Sequence, residues 1–183
     1  SEVAFRYLEQ SLADPTQFPR TPIGPHNKRI CEFGKGELKD AWHLHILPNG
    51  DYLVASSYGK AVLQYTAQGE FVRSIGVGVL DRPVAVAFIS GDGDDTIAVS
   101  DYNKNRISVF RAKDGTFVRH LGESAGLNCP GGIAWLPSSR SVLVCDAGNR
   151  RIVQLSVDNG PRESEMMASF GSCGSGDGQF NYP

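Results

Sequence analysis

A chain of 183 residues that is 40% hydrophobic, 21% charged and 9% aromatic can bury a real core, which excludes disorder as its main character. Its formal charge of -2 gives no global pull toward nucleic acid or anionic membrane, so any such contact needs a local patch. No apolar run approaches the roughly 20 residues of a membrane-spanning helix, and the first residues lack the basic-then-apolar layout of a signal peptide.

In chain order, residues 1–27 read as an N-terminal extension or linker. Within it "FRYLEQSL" (residues 5–12) suits a short helical turn, which the proline-rich "DPTQFPRTPIGPHN" then breaks. From residue 28 onward the sequence repeats itself. An apolar residue followed by glycine recurs in "EFG" at Gly34, "SIG" at Gly76, "HLG" at Gly122 and "SFG" at Gly171. The intervals are roughly 42, 46 and 49 residues, the length of one four-stranded propeller blade.

"KRICEFG" (residues 28–34) matches the last strand of a unit whose earlier strands are absent. Residues 35–76, 77–122 and 123–171 are three successive units, and 172–183 opens another. Inside each unit, short apolar runs are split by turn clusters: "PNG", "SGDGDD" or "PSSR" after the first run, then "AQG", "KDG" or "DNG" after the third. Runs at residues 52–55, 96–99 and 142–145 are rich in β-branched and aromatic residues and end at Gly or Asp clusters, so they predict strands rather than helices. Four strands per unit and an all-β fold follow.

At the end of the second run of the third unit stands Asp146-Ala147-Gly148-Asn149-Arg150-Arg151-Ile152. It resembles the D-x-x-N-x-R-I core of NHL repeats. "GDGQFNYP" (residues 176–183) resembles the opening of such a repeat, and "PGGIAWLP" (residues 130–137) the strand that follows it. The second unit keeps Asp101 and Arg106 but has Lys104 in place of the Asn, and the first has Ser56, Gly59 and Ala61 at all three polar positions. "VLQY" (residues 62–65) nevertheless matches "IVQL" (residues 152–155) without a gap. The resemblance covers residues 28–183 and implies a β-propeller, commonly of six blades. About three blades fit in this length, so the sequence reads as a portion of a longer propeller, the alternative being two partial rings that complete each other.

The recurrent polar residues invite two readings. Asp101 with Arg106, and Asp146 with Asn149 and Arg151, suit ion pairs or turn hydrogen bonds that lock loops between strands. Lys104, Arg106, Arg150 and Arg151, with Tyr102, would also form a basic face for phosphate or acidic peptide if the repeats bring them together. His43 and His45 lie two apart in a predicted inner strand and so point to one face. That spacing suits two legs of a zinc site, but a third ligand is not evident, since His26 and His120 lie in other segments; hydrogen-bonded histidines at a channel wall are the simpler reading.

"SGDGDDT" (residues 90–96) clusters Asp92, Asp94 and Asp95 without the spacing or closing Glu of an EF-hand, which suits a solvated hairpin loop. Trp42 and Trp135 are expected to pack between blades, and Arg73, Arg119 and His120 to form a solvated outer face. The four cysteines, Cys31, Cys129, Cys145 and Cys173, form no CxxC pair, and Cys145 sits in the apolar run "SVLVCD" as a small buried hydrophobe. With no N-x-[ST] sequon, they predict a reducing, cytoplasmic setting.

No nucleophilic elbow, P-loop or nucleophile with an assigned base is present. The function expected is therefore a non-catalytic scaffold for protein–protein interaction, with no cofactor and a protein or peptide partner. The resemblance also implies two alternatives. One is a metal-dependent propeller enzyme, a lyase or lactone hydrolase, resting on His43 and His45; the other is an RNA-binding domain as in TRIM-NHL proteins, resting on the basic repeat positions.

Overall fold

The computed structural model describes residues 33–91, 94–158 and 166–183. The strand expected at residues 28–34 and the extension before it therefore lie outside the described residues, apart from Phe33 and Gly34. Three four-stranded antiparallel sheets follow one another. The first holds β1 (Ala41–Ile46), β2 (Tyr52–Ser56), β3 (Ala61–Tyr65) and β4 (Phe71–Ile75). The second holds β5 (Pro83–Ile89), β6 (Thr96–Asp101), β7 (Arg106–Arg111) and β8 (Phe117–Leu121). The third holds β9 (Pro130–Leu136), β10 (Ser141–Asp146), β11 (Arg151–Ser156) and β12 (Met166–Phe170).

Strand order follows chain order in each sheet, so strands adjacent in sequence are antiparallel neighbours. The first strands stand together, with β5 packed against both β1 and β9. The sheets are thus blades whose inner strands line a common axis. The opening of a fourth unit forms a small parallel pair, β13 (Ser172–Cys173) and β14 (Gln179–Phe180).

Alternation along the strands sends successive residues to opposite faces, and the faces that meet between successive blades form the main cores. One core lies between the first and second blades and includes Leu53, Val62, Ile75, Leu80, Val86, Val99 and Phe110. A larger one lies between the second and third, with Ala85, Ala98, Ile107, Leu121, Leu127, Val144 and Leu155. Burying one such side chain is worth about 1.5–3 kcal/mol, so blade-on-blade packing is the main cohesion.

The recurrent glycines close these seams. Gly34, Gly76, Gly122 and Gly171 all have positive φ, and a Cβ on each would collide with Leu38, Leu80, Leu127 and Phe180 respectively. Each of those side chains plugs the junction that its connection crosses, so both the turn and the close approach demand glycine.

Candidate functional site

The β2–β3, β6–β7 and β10–β11 turns share one end of the blades with the connections that run from each outer strand to the next inner strand. The polar repeat residues organise this end. Asp146 is fully buried; its Oδ1 accepts the Asn128 N–H at 2.7 Å, and its Oδ2 accepts from Asn149 Nδ2 at 2.8 Å and Arg151 Nε at 2.7 Å. Arg151 and Asn149 continue to the carbonyls of Ala125 and Gly126. Asp101, also fully buried, accepts the N–H groups of Asp81 and Arg82 at 2.8 and 3.0 Å.

Each strand-end carboxylate thus holds the connection that enters its own blade. The first blade keeps the device in reduced form. Ser56 Oγ accepts the Lys39 N–H and donates to the Lys39 carbonyl, both at 3.0 Å, so Ser56 retains the polar role its sequence appeared to lack.

The expected basic face is only partly assembled. Arg151 is spent on Asp146 and Ala125, and Arg106 does not pair with Asp101: its guanidinium reaches Glu123 at 3.6 Å while its Nε is buried without a hydrogen-bond partner. Lys104 and Arg150 are exposed, the latter donating to Cys173 Sγ at 2.9 Å. Tyr102 belongs to a different arrangement.

Its ring centroid lies 4.9 Å from the guanidinium carbon of Arg82, which also lies 5.8 Å from that of the Trp42 ring. The Tyr102 hydroxyl meets that of Tyr182 at 2.5 Å, a bond that, ahead of one with Cys129, pushes its phenol well above the usual tyrosine range. Trp42 Nε1 donates to Asp40 at 2.7 Å. Trp42 is 52% exposed, Tyr182 58% and Tyr58 72%, so this end displays a ledge of open aromatic surface.

Trp42 is therefore not the inter-blade core residue expected of it, because its ring stands at the solvent end of the seam beside Arg82. Trp135 does pack against the core between the second and third blades. Sequence reasoning missed Arg82, Tyr182 and Tyr58. One signal was available: Asp40, Arg82, Cys129 and Tyr182 each occupy the residue just before an inner strand or before Pro183.

His43 and His45 lie in inner strand β1. His43 Nδ1 accepts the Val86 N–H of β5 at 3.4 Å. Burial first, and then the nearby His45, lower the pKa of His43; burial lowers that of His45. His120 is on outer strand β8, where it meets Ser108 and the Phe117 ring, and His26 lies outside the described residues. Among the described residues no three His, Cys, Asp or Glu side chains are grouped to hold a metal ion.

At the opposite end a cavity of about 460 Å³ opens between the first two blades, lined by Leu47, Gln64, Arg73, Asp94, Asp95 and Arg111. Asp95 Oδ1 accepts the Gly91 N–H at 3.1 Å, while Asp92 lies outside the described residues. Arg73 is not part of a merely solvated face. It donates to the carbonyls of Ala112 and Lys113 in the next blade, at 2.6 and 2.8 Å, and Arg119 reaches Val157 and Asp158 in the same way.

No family model matches the chain, and no curated protein matches it in sequence. Its fold is similar to that of Kuenenia stuttgartiensis hydrazine synthase, with a TM-score of 0.61 and 18% identity over 88% of this chain and 41% of that one. The nidogen–laminin complex gives 0.59 and 20% over 73% and 49%, and streptogramin B lyase 0.53 and 18% over 67% and 38%. The chain spans less than half the length of each. The fold defined by these blades is that of a β-propeller, of which the described residues form part. Enzymes and interaction proteins both appear among its structural neighbours, and at these identities the likeness extends to fold alone.

Proposed function

We propose that the chain belongs to a propeller of the NHL type, and that it acts as a cytoplasmic scaffold which binds a protein or peptide partner rather than as a catalyst. The observation that carries this reading is the ledge of Trp42 and Tyr102 around Arg82, extended by Tyr182 through its bond to Tyr102, with Tyr58 also exposed at this end of the blades. Large amphipathic rings beside an arginine are the composition of interface hot spots. At the same end, the polar groups a catalyst would need, Asp101, Asp146, Asn149 and Arg151, already satisfy the backbone and one another, and Arg106 faces Glu123.

The test is retention of a partner by the immobilised chain, compared with a Trp42→Ala/Tyr182→Ala variant of equal thermal stability. The expected result is a partner kept by the wild type and lost by the variant. Purification with a stoichiometric metal that disappears in His43→Ala would overturn this reading in favour of the metal-dependent enzyme. Salt-dependent RNA binding abolished by reversing the charge of Lys104 would favour the RNA-binding domain.

A further inference from the structure

We propose that Arg82 is the centre of a peptide-binding site and that its ligand is the carboxylate of an acidic side chain in a linear peptide segment. This rests on the scaffold reading above and gives it a site and a partner chemistry. The backbone of Arg82 is fixed on both sides: its N–H is bound by Asp101 Oδ1, and its carbonyl accepts the Tyr102 N–H at 2.9 Å. Its guanidinium carbon lies 4.9 and 5.8 Å from two ring centroids, in cation–π contact with both.

Among the described residues the guanidinium nevertheless has no counter-ion. The neighbouring carboxylate of Asp81 is taken by Lys60 Nζ at 2.5 Å and Asn103 Nδ2 at 3.0 Å, and Asp40 is taken by the Trp42 indole. The buried Nε of Arg82 has no hydrogen-bond partner among the described residues. Nor does the repeat require an arginine here, since Asp40, Cys129 and Tyr182 fill the same place in the other units. A positioned, unpaired, partly desolvated guanidinium presents the planar fork that a carboxylate fits.

The surroundings favour a peptide over RNA. Tracking a phosphate backbone takes several free cations. Here Lys60, Arg106 and Arg151 are held by Asp81, Glu123 and Asp146, and Asp40 and Asp81 flank Arg82 with negative charge. Arg82, between two carboxylates and beside exposed rings, suits a single acidic side chain whose apolar neighbours lie on Trp42 and Tyr182, while the exposed Lys104 and Arg150 stand on the turns of two different blades.

The experiment is selection of displayed random short peptides on the full chain, followed by fluorescence anisotropy with the enriched peptide. The expected result is that enriched sequences share an Asp or Glu next to apolar residues. Changing that acid to its amide, or Arg82→Gln, each weakens binding about tenfold or more, and the two changes together add little further loss. Arg82→Lys weakens it as well, while Lys113→Gln at the opposite end has no effect. Peptides that bind with no acid, or with no sensitivity to Arg82→Gln, overturn this assignment and leave the scaffold reading standing. A chain that enriches no peptide over the Trp42→Ala/Tyr182→Ala variant loses both. Binding of an oligouridylate that is lost in Arg82→Gln would put RNA in the peptide's place.

Discussion

A carboxylate excluded from solvent is tolerated only when its lone pairs are occupied, and Asp146 meets that condition with a backbone N–H, an amide and a guanidinium. Asp146→Ala removes both acceptor oxygens, breaks all three bonds at once and strands the Asn128 N–H and the Arg151 charge. The expected loss is about 3 kcal/mol, read from the urea midpoint at constant slope. Asp146→Asn keeps one acceptor and should lose less. An alanine variant within error of wild type would mean that water replaces the carboxylate.

The histidines give a second test at the same scale. Burial lowers the pKa of His43 and His45 below the ordinary 6.5, and burial followed by Arg106 lowers that of His120. The unfolded chain therefore takes up protons first as the pH falls, and folding stability declines from 6.5 downward until the depressed native values are passed. Above that window the rings are neutral in both states and contribute no slope. His43→Asn/His45→Asn should flatten the fall in melting temperature between about pH 7.5 and 5. An undiminished fall would assign it to other groups.

Among the elements, the blades were legible and their fastening was not. Strand runs, hairpin clusters and the closing glycines are local patterns, so they stand out in one sequence. Arg73 and Arg119 looked like solvent-facing residues of outer strands because their partners are backbone carbonyls about 40 residues away in the following blade, which leave no mark in side-chain pattern. The ledge was hidden for the same reason, with Tyr102 and Tyr182 joined across 80 residues. Arg73 pairs with Gln64 and Arg119 with Val109 at matching positions, whereas Gln154 of the third blade faces Ala168. The latch is therefore present at two seams and lacks its donor on the third blade. Arg119→Met keeps the aliphatic stem and removes the donor, at a cost of about 2 kcal/mol. Arg73→Met should cost at least as much, because its Nε also holds Gln64 at 2.8 Å. The two losses should add, since they lie at different seams; chemical denaturation of the double variant checks this.

For the whole molecule, stability is governed by which blade faces are covered. The second blade is packed on both sides, by the cores it shares with the first and third. On the far side of the third, Leu143, Cys145, Ile152 and Gln154 are only half-buried and all of β12 is exposed, although the matching Ala98, Ser100, Ile107 and Val109 of the second blade are buried. Repeat arrays behave as a chain of nearest-neighbour couplings, so local opening should become harder toward the middle. Amide hydrogen exchange on the 183-residue chain should find β5, β6 and β7 slowest and β12 fastest, with protection differing by about a hundredfold or more. Slow exchange in β12 that turns fast on dilution would show that the open face of the third blade is covered by another copy, because only an intermolecular cover depends on concentration. Slow exchange that persists at every dilution would contradict the coupling picture, since β12 would then be stable with only one face of its blade packed.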